Sequence, residues 1–279
     1  MIRRLLWSAV IAASFCVAAG AANDSLETVE VTASREKMRK EISTFVHQVT
    51  RLEGEFVGRW RDQVCPMVVG ISDAQAMFIR RRLVEVQNKA RRIDRDADPE
   101  CQPNAFIIIT DEADQVLAQW KERDPGMFHW KSREGVSRSE GMGPVRTWHN
   151  AIEEHRPGDA VLLERPSCGL TGSRITVGCM EWITAVVVLV DARATGKVTL
   201  AQLADYISVM SLSQIDLTAD LGGVDSILRL YGRPPAEVPP AGITEWDSAF
   251  LNALYRVNYM PKNQQRDIAA RMVRELAPR

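Results

Sequence analysis

This chain of 279 residues predicts an α+β domain, a mixed β-sheet covered by helices. Three observations carry that expectation. Apolar residues recur at helical spacing over Glu36–Leu52 and again after Ser72, with short strand-like runs between such segments. Trp182–Val190 is the longest β-branched run and has the composition of a central strand. Thr199–Ile215 then follows, apolar nearly all round and therefore a buried helix. Strands interleaved with helices, then helices alone, describe helices laid over a sheet. A composition of 46% hydrophobic and 25% charged residues excludes collagen-like, coiled-coil and wholly disordered chains. A net charge of −1 supplies no basic field, so nucleic acid is not an expected partner.

The elements follow in order. Met1-Ile2-Arg3-Arg4 is a basic start, Leu5–Ala19 is apolar but short for a bilayer span, and Ala19-Gly20-Ala21 offers small residues for cleavage. Residues 1–22 therefore read as a cleaved signal peptide, and the chain as an exported, periplasmic protein. Phe15 stands where lipoprotein processing at Cys16 needs a small residue. No later run reaches membrane-spanning length, so no transmembrane segment is expected in the mature chain. Residues 23–35 are polar, with one extended piece at Val29–Ala33, and read as an extended tether.

The α+β domain is expected over 36–232. Ile42, Phe45, Val46, Val49 and Leu52 form one face of a first helix. Val64–Gly70 is a strand whose Pro66 suits an outer or starting position. Ser72-Asp73-Ala74-Gln75 is a capping box, and Ile79, Leu83, Val86, Ala90 and Ile93 are the buried stripe of the helix it opens. After a loop, Ala105–Thr110 reads as a fully buried strand, and Glu112–Arg123 as a helix. Residues 124–144 form a long loop; Val145–Trp148 and Arg174–Val177 are strands flanking a turn-rich excursion. A Pro-rich linker spans 233–243, and 244–279 holds two amphipathic helices, the first opened by Thr244-Glu245-Trp246-Asp247, packed on the same domain.

Four cysteines remain beyond the leader: Cys65, Cys101, Cys168 and Cys179. In an oxidising compartment an even set reads as two disulfides, with three connectivities open. Cys168–Cys179 is favoured because Gly169, Gly172 and Gly178 let that segment fold back, which leaves Cys65–Cys101. Metal binding would need C-x-x-C pairs or nearby histidines, and neither occurs.

The stretches Arg59-Trp60 before Val64-Cys65-Pro66, Cys101-Gln102-Pro103-Asn104, Gln202-Leu203-Ala204-Asp205-Tyr206, and Trp246-Asp247 followed by Ala253-Leu254-Tyr255 together carry a resemblance. The chain looks like an uncharacterised family of exported bacterial proteins with degenerate zincin-like, that is metalloprotease-like, character. The resemblance implies a zincin-like layout in which the buried helix after the last strand would carry H-E-x-x-H. Here Thr199–Ile215 contains neither His nor Glu, so the resemblance implies a scaffold without its metal, a pseudoenzyme.

Catalytic signatures give little else. Asp205 with Gln202 makes at most a weak site, and Asp205 reads first as a partner for nearby backbone. His149 and His155 are six apart, about 20 Å along a strand and too far for one ion. Thr195-Gly196-Lys197 lacks the glycine of a phosphate loop, and no G-x-S-x-G elbow, Ser or Cys triad or Rossmann motif occurs. Asp94–Asp98 imitates a calcium loop, but Pro99 and Ala105 occupy its Gly and Glu positions. Arg80, Arg81, Arg82, Lys89, Arg91, Arg92 and Arg95 form the strongest basic cluster, either a contact for anionic lipid or polyanion or the solvated back of a helix. Glu27–Ser34 resembles the box of TonB-dependent outer-membrane receptors, which implies strand addition to a TonB-like transducer through residues 27–34. The expectation is a non-catalytic binding or adaptor module with no cofactor and no metal. The alternative is a peptidase-like hydrolase with an atypical site near Asp205 and His149 or His155.

Overall fold

The computed structural model describes residues 20–50, 57–94, 98, 100–123, 143–155, 179–216, 218–232, 236–257 and 264–277, with side chains excluded at 20–32, 153–155 and 179. The bodies of the expected signal peptide and of the 124–144 loop, Cys168 and the expected strand Arg174–Val177 lie outside the described residues. Two compact units divide the chain, Met1–Met38 and Arg39–Arg279.

In the first unit the described backbone is helical, and this corrects the expected tether. Helix α1 runs Gly20–Val49 and contains all of 23–35. No Gly or Pro occurs between Ala21 and Val49. The β-branched residues at 28–32 disfavour a helix by well under 1 kcal/mol each. Adding residues to a formed helix is far easier than nucleating one, so that local preference is overridden.

The second unit is the expected α+β fold. Its strands are β1 (Arg59–Trp60), β2 (Pro66–Val69), β3 (Ala105–Thr110), β4 (Val145–His155) and β5 (Cys179–Asp191). Its further helices are α2 (Asp73–Arg91), α3 (Ala113–Arg123), α4 (Leu200–Leu212), a short 3-10 turn (Ile227–Leu230), α5 (Glu245–Leu254) and α6 (Gln264–Leu276). Strand β5 is the spine. Antiparallel β4 pairs along one edge, while β3 and β1, both parallel to β5, divide the other. Strand β2 pairs parallel outside β3 and begins at Pro66, where a missing N–H costs least. Helix α2 is the crossover that a parallel β2–β3 pair requires.

Strand β1 has no counterpart among the expected strands, and two others depart from expectation. Strand β4 does not stop at Trp148 but pairs with β5 as far as His155↔Cys179, with the register skipping Thr184. Residues 149–155, polar except for Ala151 and Ile152, carry no strand signal of their own; the free edge of β5 supplies it. Strand β3 is not fully buried but alternates buried and half-buried along its length.

The sheet is covered on both faces. Ala113 and Leu117 of α3 pack on Trp148 and Leu189, with Ile108, Val187 and Trp120 around them. Helix α4 lies on the other face against β4 and β5, and α2 packs alongside it. The end of α1 joins this unit through Ile42, Phe45, Val46 and Val49, all buried as the spacing predicts. Phe45 meets Trp246 at 5.5 Å and Phe250 at 5.7 Å, both edge-on, which seats α5 on the core.

Candidate functional site

Helix α4 holds the carboxylate that the sequence singles out. Thr199 caps it, accepting from the Gln202 N–H at 3.2 Å, while Gln202 Oε1 takes the Thr199 N–H at 2.9 Å. Gln202 Nε2 also donates to the Pro240 carbonyl at 2.8 Å, so the expected Pro-rich linker is pinned to α4. Gln202 is thereby committed to a capping box.

Asp205 lies one turn further in and is 4% exposed. The Arg82 guanidinium of α2 grips it with both arms: Nε on Oδ1, and Nη2 on Oδ2 at 3.2 Å. The Ile243 N–H donates to Oδ2 at 2.9 Å. Gly242 leaves the room for this, since a Cβ there would lie 2.5 Å from Oδ2. The hydrogen bond that Arg82 donates to Asp205 holds the guanidinium above its ordinary pKa. One carboxylate therefore joins α2, α4 and the linker, a bidentate charge-assisted clamp. Arg82 belongs to this clamp and not to a solvated helix back. Its position four residues before Val86 and three after Ile79, on the rim of the buried stripe, was the signal available in the sequence.

His149 is elsewhere. Its ring faces the carbonyls of Met210 and Ser211 at the far end of α4. Those lie five and six residues beyond Asp205, about 8 Å along the axis. Burial drives the imidazole down to about 4, although the two carbonyls pull the other way, and Nε2 is closed off from solvent without a partner among the described residues. At neutral pH the ring is uncharged. The same helix end is satisfied by other side chains. Trp60 Nε1 donates to the Ser211 carbonyl at 2.8 Å, Tyr255 Oη to that of Leu212 at 3.1 Å, and Ser213 Oγ to that of Val209 at 2.7 Å. No local sequence pattern marks Trp60, Tyr255 or Ser213 as a partner of this helix end.

The structure thus does not bring Asp205 and His149 together. His155 ends β4 six residues past His149, about 20 Å away by strand rise. Among the described residues no group of three or more His, Cys, Asp and Glu gathers. A second buried carboxylate, Asp247 of α5, is also committed. It accepts from Ser226 Oγ at 2.5 Å, the Ile227 N–H at 2.8 Å and the Thr244 N–H at 3.0 Å, and burial raises its pKa against those bonds.

Cys65 and Cys101 form a disulfide with Cα atoms 5.9 Å apart. It closes the loop that carries α2, beside the Asn104 side chain, which accepts from the Cys65 N–H at 2.7 Å. No helix among the described residues is long and apolar enough to cross a membrane. Comparisons with family models, curated proteins and solved structures return no match to this chain.

Proposed function

We propose that this chain is an exported, periplasmic protein that works as a non-catalytic binding or adaptor module. One observation carries the reading: both oxygens of Asp205 are held by Arg82 and the Ile243 amide, so the likeliest-looking acid of the sequence is consumed in joining elements. His149 supports it from the other end of α4, as an uncharged ring facing helix carbonyls. The zincin-like likeness fits to the extent that a buried helix follows the last strand. Export is supported by the three-part leader and by the Cys65–Cys101 disulfide, a bond that persists in oxidising compartments. A TonB-like transducer taking residues 27–34 as a strand would first have to unwind α1, so the binding role is assigned to the folded unit instead.

The test is metal analysis of the purified protein together with a broad peptidase and esterase screen. The expected outcome is substoichiometric zinc and no turnover. Stoichiometric zinc that disappears in Asp205→Ala or His155→Ala would overturn the reading.

A further inference from the structure

We propose that the exposed face of α2 docks on an anionic lipid surface. Ala74, Met77, Phe78, Arg81 and Glu85 recur at spacings of three and four and are all exposed, so they line one solvent face of the helix. Met77 is 48% and Phe78 42% exposed, two large apolar side chains on a single turn. Arg80 and Arg81 follow immediately, and among the described residues neither has an ion-pair partner. Lys89, Arg91 and Arg92 extend the positive charge toward the C-terminal end, with Glu85 held down by its bond to Lys89. Basic groups outnumber acidic ones on α2, whereas the chain as a whole carries −1.

Apolar tips flanked by unpaired arginines on a convex helix face suit a plane rather than a groove. The tips enter the headgroup boundary while the guanidiniums meet lipid phosphates. An acidic polypeptide would be drawn by the arginines but would leave Met77 and Phe78 without cover. This inference goes beyond the binding-module reading and stands or falls separately from it.

The side chain itself gives the readout, so the apolar N-terminal run does not confuse it. Peroxide oxidation of Met77 in the full chain is followed by mass spectrometry with and without vesicles of phosphatidylglycerol in phosphatidylcholine. Met67 is the internal control. It is 39% exposed and shares the β2 face of Val69, whose partner Ile108 packs on the α3 side of the sheet, away from α2. The expected result is that anionic vesicles slow Met77 oxidation about fivefold and leave Met67 unchanged, while pure phosphatidylcholine does neither. Arg80→Gln with Arg81→Gln should raise the lipid concentration needed about twenty-five-fold, roughly fivefold for each basic group. Phe78→Ser should weaken protection as well. The proposal is overturned if Met77 is not protected, if Met67 slows equally, if neutral vesicles protect as well, if both variants behave like the parent, or if polyglutamate protects Met77 where vesicles do not.

Discussion

Replacing Arg82 by methionine would leave the Asp205 carboxylate, its side chain 5% exposed, with the Ile243 N–H at 2.9 Å as its remaining hydrogen-bond donor among the described residues. Breaking a buried pair from one side costs about 3–5 kcal/mol. The variant should therefore lose about 3–4 kcal/mol. The opposite truncation, Asp205→Ala, is milder. Arg82 is 27% exposed and keeps Glu85 at 3.1 Å, so about 2 kcal/mol is expected. The double variant should fall short of the sum by about 2 kcal/mol. Equilibrium urea unfolding followed by tryptophan fluorescence measures all of this. A coupling below about 0.5 kcal/mol, or an Arg82→Met penalty no larger than the roughly 1 kcal/mol of an exposed pair, refutes the clamp.

Three further outcomes are expected. Replacing Cys65 and Cys101 together by alanine opens a loop of 36 residues and should cost about 4 kcal/mol by loop-closure entropy, read by urea titration with and without reductant. His149 is depressed to about 4 in the folded state against about 6.5 unfolded, so its contribution is complete above pH 6.5 and lost as pH falls to 4. That amounts to at most about 3 kcal/mol, and His149→Phe should flatten the stability profile across this window. Gly70 sits at φ +91° with the Ile109 carbonyl where a Cβ would be, so Gly70→Ala should lower Tm by several degrees, whereas Gly196→Ala, with open space around it, should cost about 1 kcal/mol for its positive φ alone.

What could be read beforehand was whatever had a short-range physical cause. The Ser72 capping box, the Ile79–Ala90 stripe, the bounds of Ala105–Thr110 and the starting position of Pro66 all follow from local chemistry. Cys65–Cys101 is what remains of the three connectivities once the glycines between Cys168 and Cys179 favour pairing those two. Long-range causes hid the rest. The lower half of β4 exists because β5 offers an edge, and nothing in His149–His155 announces that. The extension of α1 through 23–35 overrides a run of β-branched residues by continuity of the helix. At the site, Asp205 was visible as a carboxylate in an apolar helix, but its partner lies 123 residues away and its amide donor 38 residues away. No local pattern encodes such pairings.

The way α4 ends explains why its polar neighbours serve the fold. A helix buried on every side must still satisfy its last carbonyls, and the usual means is a glycine in the left-handed region just past the end. Here Ser213 is extended, so that cap is missing. Donors from β1, from Tyr255 just past α5 and from the residue after the helix supply it instead, with His149 of β4 facing the same carbonyls. A ligand that recruited any of them would strip a carbonyl in a dry interior, at about 1–3 kcal/mol for each. The interior of α4 is thus closed to new chemistry by its own backbone. The opposite holds one layer out. Arg82, on the inner side of α2, locks that helix to α4, and the same turns present Met77, Phe78 and Arg81 outward. A ridge fixed in this way loses little conformational freedom when it meets a surface, which is the condition under which a few exposed side chains bind.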